Sequence, residues 1–308
     1  MPILGPVDSK SDNSPPALPG TGLDLQDAQV VAGLFHEAAE ANLNCQYRRG
    51  STEHLPGSGR LLMSGDLHDH GPNLMRLLRL ARLASDKDRH LVLHEVIHGP
   101  HRVNGADLSI RTLARVAAMK RQYPDQVHFL LANHELAQLS GSEITKDGVG
   151  VIGAFEDGVD FIYGSDADDV RAGMRAFIST MPLAIRCSNG ILCAHSLPSP
   201  RKLEFFDVSI VDRRMVEEDL RSGGSAHLMV WGRGHNDALA EVLAQAWKVK
   251  LFVVGHQPVE MGFETEGDSI LILASNHDHG VVLPIDLSRD YDMSDLVADL
   301  IPLASVAV

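Results

Sequence analysis

Aromatic residues are scarce, at 5% of 308 positions, and the 27 lysines and arginines are outnumbered by 41 carboxylates. Both shortages argue against a nucleic-acid partner. Stacking platforms need aromatic rings, and a chain of formal charge -14 repels a polyanion over most of its surface. A small phosphorylated ligand stays admissible, because bound cations invert the sign locally. Cysteine is nearly lacking. Cys45, Cys187 and Cys193 form no CxxC, which excludes a thiolate zinc site and a disulfide scaffold. Cys187 and Cys193 flank Asn189-Gly190, a two-residue hairpin signal that sets Cys187 opposite Leu192, so the thiols read as free and buried. No apolar run approaches the ~18 residues of a membrane span. The first residues lack the basic-then-apolar order of a secretion signal. No membrane partner and a cytoplasmic location are expected.

What is present is an ordinary globular composition, 44% hydrophobic and 22% charged, ample for a sizeable core. Residues 1–24, rich in Pro, Gly, Ser and Asp, read as a disordered tail, and 25–308 as one domain. Helical spacing of apolar residues predicts helices over Leu25–Leu43, Ser109–Gln122, Asp168–Ser179 and Asn236–Lys248, and over the segment of Leu74, Leu77, Leu78 and Ala81, opened by Pro72. Short apolar runs alternate with them: Leu61–Ser64, Leu91–Leu93, Val127–Ala132, Ile191–Ala194 and Leu251–Val254. Ser269–Ala274 and Gly280–Leu287 read as closing strands. The alternation is that of an α/β protein. A less regular stretch, about 136–181, reads as a helical cap or insert.

Each of the five runs hands over to a side chain with lone pairs to offer. Gly65-Asp66-Leu67-His68 follows the first, His94-Glu95 the second, Asn133-His134-Glu135 the third, His195 the fourth and Gly255-His256 the fifth. The carboxyl edge of an α/β sheet is where sites form. Imidazole, carboxylate and amide oxygen suit Mn, Fe or Zn, and the lack of thiolate fits a catalytic centre.

The order GDLHDHG, LHEVIHG, ANHE, CAHS and GHQP, from about Arg60 to Leu287, resembles the calcineurin-like metallophosphoesterases, above all their phosphoprotein-phosphatase branch and its bacterial relatives. The resemblance implies a sandwich of two mixed β-sheets flanked by helices. It implies that Asp66 and His68 bind a first divalent ion, Glu95 bridges, and Asn133, His195 and His256 bind a second. His134 would be the general acid. MVWGRG at Met229–Gly234 resembles a Trp-x-Arg segment whose arginine, here Arg233, holds phosphate. The implied activity is hydrolysis of phosphate monoesters, on phosphoprotein or a small molecule, by a hydroxide bridging two ions about 4 Å apart. A phosphodiesterase or nucleotide pyrophosphatase on the same scaffold, and a phospho-binding module without catalysis, are the alternatives.

The second motif departs from the family's GDxxDRG. Glu95 stands for the bridging Asp with one more methylene, and His98 stands where an Asp would orient the catalytic histidine. Arg102 lies three residues past the motif's missing arginine and is a second candidate for phosphate. Arg213 and Arg214, on an expected helix, compete with Arg233. Of the 16 histidines, His70, His94, His98 and His101 read as lining the mouth of the site, and His277-Asp278-His279 as a tight turn. Asn133 is also a helix N-cap candidate.

Overall fold

The computed structural model describes residues 22–141, 145–146 and 149–307. Positions 1–21 of the predicted tail lie outside these described residues. Five strands form one sheet, in the order Ile301–Pro302, Val281–Asp286, Arg60–Ser64, Arg89–His94 and Val127–Leu130. Seven form the other: Arg48–Arg49, Thr52–Leu55, Ala184–Cys187, Ile191–Ala194, Leu251–Val254, Ile270–Leu273 and Phe263–Glu266. Both are mixed: Arg60–Ser64 pairs parallel with Arg89–His94 and antiparallel with Val281–Asp286.

The two-residue alternation of a strand divides each sheet's apolar residues between two cores. Leu61, Met63, Val92 and Leu130 meet Ile185, Cys193, Val253 and Leu271 between the sheets. Their neighbours Leu62, Leu91, Leu93, Phe129, Leu192, Phe252 and Val254 turn outward under the helices. Helix Ala28–Asn44 starts where the Asp27 carboxylate accepts the Gln29 and Val30 amides. It buries Val31, Leu34, Phe35 and Ala38 on one face, and Phe35 stacks on Phe177 at 5.9 Å between ring centroids. Helix Gly71–Ala81 opens at Pro72, buries Leu74, Leu77 and Ala81, and ends on Arg82 at φ 48°.

The stretch read as a cap holds helices Asn133–Ser140, Val151–Tyr163 and Ala167–Ser179. Its Phe155 and Phe177 are fully buried in the outer core, so these helices pack on the sandwich itself.

Two local expectations need correction. The hairpin register is Arg186 to Leu192 and Ile185 to Cys193, so Cys187 does not face Leu192. The loop has three residues, with Gly190 at φ 88° donating its amide to the Cys187 carbonyl at 3.1 Å. All three thiols are free and buried. Arg213 and Arg214 lie between helical segments, not on a helix. Arg213 is held by Asp207 and Asp219 at 2.9 and 2.6 Å. Among the described residues no helix is long and apolar enough to cross a membrane.

The two sheets touch at their carboxyl edges, and this contact positions the site. Asp66 forms a parallel bridge with Ala274, and its carbonyl accepts the Ser275 amide at 3.0 Å. Gly65 makes the approach possible: a Cβ there would sit 2.3 Å from the Leu273 carbonyl oxygen. The chain reverses just beyond, at His68 (φ 43°) and Asp69 (φ 58°).

Candidate metal centre

Asp66, His68, Glu95, Asn133, His134, His195 and His256 arrive from both sheets and are all buried. Glu95 stands between two groups of donors. Its Oε1 lies 2.9 Å from His68 Nε2 and 3.8 Å from His134 Nε2, and its Oε2 lies 3.1 Å from His195 Nε2. Glu95 sits at φ 48°, where the chain turns after the Arg89–His94 strand. Asp66 sits on the His256 amide, with both carboxylate oxygens 3.0 Å from that nitrogen.

Around His195 Nε2 the donors crowd: Asn133 Oδ1 at 2.8 Å, His256 Nδ1 at 3.1 Å and Glu95 Oε2 at 3.1 Å. One imidazole N–H serves one acceptor, so lone pairs face lone pairs. Glu95 Oε2 is buried without a hydrogen bond despite its neighbour. An unsatisfied buried carboxylate oxygen costs about 1–3 kcal/mol or more. A divalent cation relieves each of these contacts, so the residues fit the ions the resemblance implies. Asn133 does not cap its helix; the cap position is Ala132 and the amide oxygen is spent on His195.

The electrostatics agree. Burial pushes His256 down to about 3, aided by the Arg233 charge, and burial holds His195 well below the usual imidazole range, so both rings are neutral. Burial alone would raise Asp66, but a hydrogen bond from His94 and the imidazoles packed around it keep it well below the carboxylate range. Burial and the neighbouring Asp66 push Glu95 up.

His94 and His98 do not line the mouth, as expected, but are buried. His94 faces the site because it continues the inward alternation of Val92. Its Nε2–H donates to the Ser64 carbonyl at 2.9 Å, and its Nδ1 lies 3.1 Å from Asp66 Oδ1 and 3.0 Å from His195 Nδ1. Asp66, His94 and His195 form a third set able to hold an ion, a role the sequence reading did not give His94. Gly255 leaves room for it; a Cβ there would lie 2.5 Å from His94 Cε1 and 2.4 Å from Asp66 Oδ1. Glu135 was also missed. Its Oε1 accepts the Val96 amide at 3.0 Å, fixing the loop that carries Glu95 and His98, and burial beside Glu95 raises its carboxyl to about 7.

Arg233 stands at the rim, exposed, with its Nε donating to His256 Nε2 at 3.0 Å. Arg102 lies on a two-residue strand opposite Asp107. His70 is half-buried and His101 exposed. His277 accepts the His279 amide at 3.2 Å and donates to the Val259 carbonyl at 3.0 Å, as befits a turn.

A second buried group, Cys45, Glu53 and His128, lies away from this edge. Burial pushes its thiol up to about 12, and its carboxylate is already met by Lys120, His128 and Arg48. The negative charge of Glu53 is thus already met by the protein's own cations.

Two solved structures share the architecture. A protein serine/threonine phosphatase from Saccharomyces cerevisiae, described as similar to human phosphatase PP5, superposes with a TM-score of 0.62 at 15% identity, over 90% of this chain and 93% of that one. A mutant cold-active protein tyrosine phosphatase gives 0.51 at 14% identity, over 77% and 78%. These likenesses speak to fold. No characterised sequence matches. Residues 59–260, which carry Asp66, His68, Glu95, Asn133, His134, His195 and His256, match the family description "calcineurin-like phosphoesterase", and the chain belongs to that family.

Proposed function

We propose that this protein is a dinuclear metal-dependent phosphatase hydrolysing phosphate monoesters, on phosphoprotein or a small molecule. The supporting observation is the position of Glu95, whose two oxygens divide the donors into a His68 side and a His195–Asn133–His256 side. Asp66, His68 and Glu95 would hold one ion, and Glu95, Asn133, His195 and His256 the other. Two such ions, Mn, Fe or Zn, supply an activated water and neutralise phosphate charge.

The chain's own residues do the rest. Arg233 is the rim cation that pairs with the two free oxygens of a monoester dianion. Its acceptor among the described residues, a ring nitrogen of His256, is a weak rival to phosphate. His134 turns Nε2 toward Glu95 and keeps Nδ1 on His98 at 2.7 Å, so its ring is held for proton delivery to the leaving oxygen. Glu135 pins the loop beneath.

Bound metal should be counted, and p-nitrophenyl phosphate assayed beside bis(p-nitrophenyl) phosphate with Mn²⁺, Fe²⁺ or Zn²⁺ added. Expected are two ions, preference for the monoester, and loss of about a hundredfold or more in kcat for Asp66→Asn and for His134→Ala. Undiminished turnover in Asp66→Asn removes this site from the chemistry. Preference for the diester favours a phosphodiesterase, and two bound ions without turnover a phospho-binding module.

A further inference from the structure

A row of hydrogen bonds leads from His134 outward. His134 Nδ1 lies 2.7 Å from His98 Nδ1, and His98 Nε2 lies 3.2 Å from Gln138 Oε1. The Gln138 side-chain nitrogen donates to Glu156 Oε1, and Glu156 Oε2 accepts from Arg171 Nε at 2.5 Å. Arg171 also binds Asp160 and Asp168 at 2.6 and 2.9 Å.

The outer end fixes every proton in the row. Paired with Arg171, Glu156 is a carboxylate, which only accepts. Gln138 must therefore point its amide N–H at Glu156 and its carbonyl at His98. His98 meets that carbonyl with Nε2–H, which leaves the neutral ring a lone pair on Nδ1. Across 2.7 Å this lone pair takes the Nδ1–H of His134. His134 Nε2 is then the atom turned toward the centre, 3.8 Å from Glu95 Oε1. This nitrogen first takes up a proton from water, and as the imidazolium the ring passes that proton to the leaving oxygen while Nδ1–H stays on His98. The opposite assignment would set His98 Nε2 and Gln138 Oε1 lone pair against lone pair.

We propose that His98, Gln138 and Glu156 are positioning residues that set the tautomer and orientation of His134, with Glu156 the remote carboxylate that anchors them. The row crosses three elements: the loop after the Arg89–His94 strand, helix Asn133–Ser140 and helix Val151–Tyr163. It ends near the surface, where the Glu156 side chain is 32% exposed. The inference rests on the phosphatase reading for its kinetic consequence, but the proton arrangement does not.

The test uses two monoesters that differ in their need for a proton. An alkyl alcohol leaves as a strong base, whereas p-nitrophenolate leaves unaided. Glu156→Ala and Gln138→Leu should lower kcat on an alkyl phosphate about tenfold more than on p-nitrophenyl phosphate, with KM little changed. His98→Asp should abolish that sensitivity to Glu156→Ala. An aspartate oxygen stands at the same bond distance from Cβ as imidazole Nδ1 and accepts the His134 proton directly. Position 98, at φ 59°, also suits aspartate. Ring ¹⁵N shifts of the full-length protein give a readout apart from turnover. His98 should be the Nε2–H and His134 the Nδ1–H tautomer, and Glu156→Ala should erase the His98 preference. Equal losses on both esters, or His98 found as the Nδ1–H form, overturn the proposal. A wild-type protein inert toward both esters counts against the phosphatase reading, and the ring tautomers then decide the relay alone.

Discussion

Arg233 donates to Nε2 of His256, and the bond places the proton of that imidazole on Nδ1, the nitrogen that faces His195 at 3.1 Å. A neutral ring has one proton. Were His256 to hold an ion through Nδ1, its proton would move to Nε2 and Arg233 would lose its acceptor. Metal loading should thus release Arg233 toward phosphate. The guanidinium Nε–H is expected to exchange faster with metal than without, as read by NMR. Arg233→Ala should weaken inorganic phosphate binding to the loaded protein about tenfold or more while leaving the metal count at two. Unchanged phosphate affinity would exclude Arg233 from the site.

Gly255 tests the packing of Asp66 against His94. Gly255→Ala places a methyl 2.4 Å from Asp66 Oδ1, and the carboxylate has to move. Turnover should fall by an order of magnitude or more. The unfolding midpoint should fall modestly. Full activity with full stability would mean that the two side chains are free to shift, contrary to the burial of both.

The length of Glu95 yields a third expectation. Its two oxygens reach His68 Nε2 and His195 Nε2 with a side chain one methylene longer than aspartate. Glu95→Asp should therefore bind fewer than two ions at concentrations that saturate the wild type, and Glu95→Gln fewer still. Two ions in Glu95→Asp, counted by elemental analysis, would show that reach at this position is dispensable.

Acid stability should be governed away from the site. Burial lowers His90 to about 4, with the nearby His128 charge adding to it. Its contribution to stability is present above 6.5 and lost as pH falls from 6.5 toward about 4. Burial would raise Glu53, but Lys120, His128 and Arg48 bring it down to about 2. Its contribution is present above 4.5 and lost from there toward about 2. A depression of that size in a buried group is worth on the order of 3 kcal/mol. In urea titrations from pH 7 to 3, Glu53→Gln should lower stability at pH 7 and flatten the decline below 4.5. A parallel decline would assign acid lability to other groups.

Most strand positions were legible in the sequence because short apolar runs are local signals, whereas the two-sheet sandwich was implied only by the family resemblance. Ile191–Ala194 and Leu251–Val254 were placed to the residue. What escaped was set by partners distant along the chain. His94 looked like a rim residue because nothing beside it announces Gly255, the residue that leaves room for it. Glu135 stood in the third motif without a role, and only the fold brings the Val96 amide to it. Nothing beside Gly65 in the sequence announces the Leu273 backbone, whose approach its small size serves.

Among the described residues, eight non-glycine positions have positive φ, and five of them, His68, Asp69, Glu95, His98 and His256, surround the metal centre. Each such backbone costs on the order of 1 kcal/mol. Asparagine at any of these positions would relax the chain while deleting a donor or its support. Selection for thermal hardiness alone would thus dismantle the centre one residue at a time. In directed evolution for stability, these five codons are the ones to hold fixed.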